Sequence, residues 1–285
     1  MPTTLKLQQI TMTLVREFRK NSYGLCMKLR WAFVHNAYKK LAAFPWKSAL
    51  DMANPILEHD VASWPEPVVA IWYCRQITNG KSLRLPNTEQ LCELANILRD
   101  LGVRSIVHMG DDVPDFPEQE MAMPPKAFTH VSIRDYQAQN GFKIFFAKDA
   151  IGSLISGQIL TQLLLSTKIA VNVSATCGGM EHLALIGLPV VMFSTSTPPL
   201  HDPMVRLCNE CPWWKYVAAE PAVDSEAEKG DDCGTSRLSA RGRHALRTAI
   251  DDSLKAWTKS DVLTDLRRRA FEDILNIQFK IHTHL

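Results

Sequence analysis

The chain has 285 residues, of which 46% are hydrophobic and 22% charged, the balance of a soluble globular protein large enough for a sizeable core. Its formal net charge of +2 gives no ground for a nucleic-acid partner. The seven cysteines are odd in number and scattered, which argues against a disulfide framework and for reduced thiols in a cytoplasmic setting.

The small total charge hides an asymmetry. Residues 1–50 carry nine bases (Lys6, Arg16, Arg19, Lys20, Lys28, Arg30, Lys39, Lys40 and Lys47) against the single acid Glu17, a balance of +8 that leaves −6 for the rest. Residues 1–65 therefore read as a basic, mostly helical arm, with Leu14, Phe18, Leu25, Leu29, Phe33 and Leu41 at roughly helical intervals. Two arrangements fit residues 1–50: a surface for an anionic membrane or a partner protein, or a helix packed on its own domain with a solvated basic face. The start of the chain lacks the pattern of a signal peptide. The best apolar stretch, residues 151–173, is broken by Gly157, Gln158, Gln162 and Lys168, so no membrane span is expected and any membrane contact is peripheral.

Beyond Pro65 and Pro67 the pattern changes. Strands are expected at 68–74, 104–109, 142–147, 168–174 and 189–193, from short runs rich in Val, Ile and Phe. Helices are expected between them. One starts at a capping signal at Asn87 or Thr88, places Leu91, Leu94, Ala95, Leu98 and Leu101 on one face, and stops at Gly102. Another covers 150–167, and two more close the chain after Ser239 and Ser260. The acidic stretch 218–236 is poor in apolar residues and reads as a mobile loop. Strands alternating with helices imply an α/β domain over 66–285, a Rossmann-like parallel sheet with helices on both faces. Ligands of such sheets bind beyond the carboxyl ends of the strands, where strand order reverses.

One stretch stands at such a strand end: VNVSATCGGMEHLALIGLPVVMF, residues 171–193. Gly178 and Gly179 let backbone N–H groups approach a ligand with no Cβ in the way, and the helix that follows directs its partial positive end to the same place. Both features favour a phosphate or diphosphate. Glu181 can accept hydrogen bonds from sugar or ribose hydroxyls, or cap its own helix. A plain structural turn fits the same residues.

The order of elements resembles the carboxyl-terminal, donor-binding half of GT-B-fold glycosyltransferases, closest to the lipopolysaccharide heptosyltransferase family and its relatives. The resemblance covers residues 66–217. It rests on a strand leading into a loop with Lys81 and Arg84-Leu85-Pro86, a helix and strand ending in Gly110, and Gly178, Met180, Gly187 and Pro189 of the glycine-rich stretch. Thr176 stands where the family has Asp, Cys177 where it has Ser, and Glu181 where it has His. The resemblance implies a nucleotide-diphosphate sugar as donor. Gly178 and Gly179 would face the diphosphate beside Thr176, Lys81 or Arg84 would neutralise phosphate charge, and Glu181 would bind hydroxyls. Arg75, at the end of the first strand, is a further phosphate candidate. The family's acceptor-binding half needs more than the 65 residues that precede the first strand, so no catalytic base is assigned. The alternative is a non-catalytic binding or assembly module that keeps the donor-half fold. Neither reading needs a cofactor or a metal. Cys208 and Cys211 have the C-x-x-C spacing of a zinc or redox site, but no second such pair exists to complete four ligands, and an incidental pair is expected.

Overall fold

The computed structural model describes residues 4–41, 63–73, 77–78, 81–82, 88–110, 137–147, 155–175, 178–194, 208–219, 238–270 and 272. In chain order these form α1 (Thr4–Leu41), β1 (Val68–Tyr73), β2 (Ile77–Thr78), β3 (Lys81–Ser82), α2 (Thr88–Asp100), β4 (Ser105–Gly110), β5 (Lys143–Phe146), α3 (Ile155–Leu164), β6 (Ile169–Ala175), α4 (Gly178–Leu185), β7 (Val190–Ser194), β8 (Trp214–Ala218), α5 (Ala240–Lys259) and α6 (261–270). The acidic segment 220–237 lies outside the described residues.

Six strands make one sheet in the order β5-β4-β1-β6-β7-β8, every neighbouring pair parallel. All five strands expected from the sequence are present, with ends displaced by no more than one residue. β6 lies in the interior of the sheet and parallel to β7, in register from Asn172 opposite Val190 to Ala175 opposite Phe193. β1, β4 and β6 are buried along their whole length, as strands covered on both faces must be. The sixth strand, β8, was not anticipated.

Successive side chains of each strand point to opposite faces, and two cores result. Val68, Ala70 and Trp72 of β1 join Val107, Met109, Val190 and Met192 in one, with α3, α4 and α6 contributing Leu163, Met180, Leu183 and Leu266. Val69, Ile71 and Tyr73 join Ile106, Val171, Val173 and Phe193 in the other, against Leu91, Leu94 and Leu98 of α2 and Leu246, Ile250 and Leu254 of α5. The result is a Rossmann-like α/β/α domain. Asn172 is the polar exception inside it. It accepts from Trp72 Nε1 at 3.0 Å and donates to the Pro189 carbonyl at 3.0 Å, so a fully buried amide is satisfied by its neighbours.

α1 packs on the first of these cores through Val15, Phe18 and Cys26. Its two halves meet at Asn21, whose backbone leaves helical geometry. The Asn21 side chain accepts the Gly24 N–H at 2.7 Å, the N-cap bond of a new helix. Arg30 points inward and is fully buried. Its Nε donates to the Ile186 carbonyl at 2.8 Å, just past the end of α4, and its Nη1 donates to the Leu266 carbonyl of α6 at 2.6 Å. A cation at the carboxyl end of a helix also complements the helix dipole. Gly187, at φ +85°, ends α4 beneath it. A Cβ there would lie 2.4 Å from Cys26 Sγ and 2.8 Å from Arg30 Nη2, so the close approach of α1 to this turn requires glycine. Beside it the Tyr23 hydroxyl donates to Asp265, whose carboxylate also receives Arg268 and Arg269 at 2.7 and 2.9 Å. The Tyr23 bond, followed by those two arginines, holds the Asp265 carboxyl below its ordinary range. Among the described residues no helix is long and apolar enough to cross a membrane.

Candidate functional site at the sheet's switch point

Numbered among themselves in chain order, the six sheet strands run 3-2-1-4-5-6 across the sheet. The order reverses between β1 and β6, and in open parallel sheets ligands bind beyond the carboxyl ends of the strands at such a reversal. Tyr73 and Ala175 end the two strands, and both are buried.

α4 begins three residues past Ala175, with Gly178 as its first residue. Met180, Leu183 and Ala184 are fully buried in the core on that face, and Trp213 Nε1 donates to the Ala184 carbonyl at 2.8 Å. These contacts fix the helix with its amino end at the carboxyl edge of the sheet. The N–H groups of a helix's first turn have no acceptor within the helix, and Gly178 and Gly179 are the first two residues of that turn. Glu181 is half-buried in the first turn. Its carboxylate adds to the effect of burial in pushing the Cys208 thiol up, which places it within electrostatic reach of the 208–211 turn. His182 is exposed.

On the β1 side, the segment expected to be a basic loop contains a hairpin. β2 and β3 pair antiparallel, Thr78 opposite Lys81, leaving a two-residue connection at 79 and 80. The sequence there is Asn-Gly, the pairing favoured in the tightest hairpin turns. Lys81 thus stands on a short strand that follows the carboxyl end of β1. Arg75, Arg84, Thr176 and Cys177 lie outside the described residues. So the structure groups Gly178, Gly179 and Glu181 on one helical turn and sets the Lys81 hairpin after the neighbouring strand.

Gly110 is a residue of this region whose constraint the sequence did not reveal. It closes β4 beside Tyr73, at φ +95°, and a Cβ on it would fall 1.9 Å from the Tyr73 carbonyl oxygen. The Gln158 amide holds it from α3, accepting the Gly110 N–H and donating to its carbonyl at 2.8 Å. Gly110→Ala should cost about 3 kcal/mol or more, since backbone cannot move aside cheaply. Gly102 is the control. Its φ is +83° but nothing lies within 4 Å of its absent Cβ, so Gly102→Ala should cost only about 1 kcal/mol. Urea unfolding of both variants decides this, and equal costs would show that Gly110 is constrained by dihedral angle alone.

Two other features compete for attention. A cavity of about 540 Å³ opens between β8 and α5, lined in part by Lys215, Tyr216, His244, Thr248 and Asp252. It sits at the side of the sheet, away from the switch point, and Lys215 and Asp252 already pair at 3.0 Å. Cys208 and Cys211 form a turn, with the Cys211 N–H donating to the Cys208 carbonyl at 3.3 Å. Burial pushes the Cys208 thiol up to about 12 and raises Cys211 as well, so both are protonated packing groups rather than reactive thiolates. Among the described residues no group of His, Cys, Asp and Glu could hold a metal ion. No family model, curated protein or solved structure matches the chain.

Proposed function

We propose that the crevice between β1 and β6 binds a nucleotide-diphosphate sugar and that the protein is glycosyltransferase-like, passing the sugar to an acceptor. The observation that carries this reading is the coincidence of two features: strand order reverses at β6, and the helix opening with Gly178 and Gly179 starts at that strand's carboxyl end. In this reading the N–H groups of Gly178 and Gly179 receive the diphosphate beside Thr176. Lys81, Arg84 or Arg75 offset the negative charge that grows on the leaving nucleotide. Glu181 accepts from ribose or sugar hydroxyls. A second reading, a binding or assembly module without chemistry, is favoured by Thr176, Cys177 and Glu181, which replace the Asp, Ser and His of the family pattern.

A thermal-shift series with UDP, GDP, ADP and dTDP and their sugars tests the binding. A ligand at 100 times its dissociation constant should add about 2.7 kcal/mol of stability. Gly179→Val should abolish that gain while the melting temperature of the free protein holds, because a branched side chain blocks the backbone approach. Glu181→Ala should weaken binding by about 1–3 kcal/mol as a hydroxyl loses its charged partner. If Gly179→Val unfolds the protein and Glu181→Ala leaves binding untouched, the turn is structural. Release of free nucleotide from a bound sugar donor then separates the enzyme from the module.

A further inference from the structure

We infer that the outer edge of β8, with the row of α5 side chains beside it, is a docking surface for a second copy of this chain, the two β8 strands pairing antiparallel about a two-fold axis into one continuous sheet. β8 ends the sheet, with β7 on one side of it. The Val190 N–H donates to the Trp213 carbonyl and the Ala219 N–H to the Ser194 carbonyl, so residues 213 and 219 turn backbone groups towards β7. Along a strand these groups alternate, and those of Trp214 and Ala218 therefore face away from the sheet. The Trp214 N–H is taken by the Cys211 carbonyl at 3.0 Å. The Trp214 carbonyl and the N–H of the exposed Ala218 are then the acceptor and the donor at the two ends of this edge. Beyond them lies the cavity of about 540 Å³, lined by the successive β8 residues Trp214 to Val217. Side chains of both sheet faces reach it, so it sits at the strand's edge. Across it His244, Thr248 and Asp252 form one row of α5, spaced four residues apart.

Charge complementarity selects a second copy as the occupant. Two β8 strands centred on residue 216 bring the Ala218 N–H to the partner's Trp214 carbonyl, and symmetry repeats the bond. The axis stands perpendicular to the sheet, so both α5 helices lie on one face and run antiparallel. The row centred on Thr248 then sets His244 opposite the partner's Asp252, and Asp252 opposite the partner's His244. A donor at one end and an acid at the other is the pattern that a self-complementary contact needs. Asp252 already receives Lys215 at 3.0 Å, and a carboxylate has acceptor sites for both. α5 packs across β6, β7 and β8. Two such helices, centred over β7 and its copy, stand three strand spacings apart, about 14 Å. Helices in direct contact stand about 8–10 Å apart, so the extra width leaves room for imidazole and carboxylate to meet.

Sedimentation velocity of the full chain from about 1 to about 100 μM should show one copy giving way to two and no larger species, because a two-fold contact closes on itself. Ala218→Pro removes the outward N–H, a change that edge strands tolerate. It should raise the dimer dissociation constant about tenfold or more while the melting temperature of the dilute protein holds. His244→Asp sets like charges opposite each other and should weaken association to a similar degree. Adding Asp252→His to the same chain restores an opposite pair and should recover most of what was lost. If Ala218→Pro does not fold, the two charge variants decide alone. The inference fails if the chain stays single at about 100 μM, if it grows into open-ended oligomers, or if the charge swap recovers nothing. It also fails if Ala218→Pro folds and associates like the wild type, which would place the contact elsewhere.

Discussion

Arg30→Met is expected to lower the unfolding free energy by about 3–5 kcal/mol, a large part of the roughly 5–15 kcal/mol that a domain commonly has. Methionine keeps most of the length and volume, so the substitution isolates the hydrogen bonds. Two charge-assisted bonds disappear, and the carbonyls of Ile186 and Leu266 are left buried. Bonds to charged groups are worth about 1.5–3 kcal/mol each, and an orphaned buried acceptor costs a similar amount. Arg30→Ala should be worse, because it adds a cavity against Cys26 and Gly187. Arg30→Lys keeps the charge but not the fork, and one ammonium cannot serve both carbonyls in the same geometry. Urea unfolding of the three variants should rank them Ala, Met, Lys from most to least damaged. A methionine variant within 1 kcal/mol of wild type would mean that apolar filling suffices here, as it does for some buried ionic groups.

Mild alkali should produce the second large effect. Burial pushes the Cys26 and Cys208 thiols up to about 12 and raises Cys211 too. In the unfolded chain the same thiols ionise near pH 8.5. Above that pH the unfolded state releases protons that the folded state keeps, so stability falls as pH rises. It is flat below about pH 8 and declines from about 9 towards 12, by about 1.4 kcal/mol per pH unit for each thiol. Three thiols together give a loss of about 4–6 kcal/mol by pH 10. Chemical unfolding at pH 7.5, 9 and 10 measures this. In a variant with Cys26, Cys208 and Cys211 all changed to Ala, the absolute stability will be lower but the slope between pH 8.5 and 10 should largely vanish. If the slope persists unchanged, the thiols are not its source.

Several elements were legible because their physics is local. The interior parallel strands have no solvent face, so VVAIWY and IAVNVSA carry no polar alternation and read directly as buried runs. α2 announces itself through a capping residue, a helical stripe and Gly102. β8 was hidden because Trp214–Ala218 mixes Lys215 and Tyr216 into a short run, as a strand at the side of a sheet can. The β2–β3 hairpin left no periodicity at all, two residues per strand, and only the Asn79-Gly80 dipeptide could have exposed it. Arg30 was unreadable. It is one base among nine in residues 1–50, and nothing in its neighbours tells which of them turns inward to meet carbonyls that lie far along the chain. At the candidate site, the strand end, the paired glycines and the helix start were all visible in residues 171–185. Which ligand chemistry they serve depends on side chains of the flanking loops, which composition does not constrain.

The Arg30 clamp also has a consequence for synthesis. Its two acceptors lie 156 and 236 residues later in the chain. At about 5–20 residues per second, roughly 10–50 s separate the appearance of Arg30 from that of Leu266. Throughout that interval Val15, Phe18 and Cys26 have no finished surface to cover, and a basic helix with an apolar stripe waits beside the ribosome. Among the helices described, α1 is therefore made first yet cannot complete its docking until α6 has emerged.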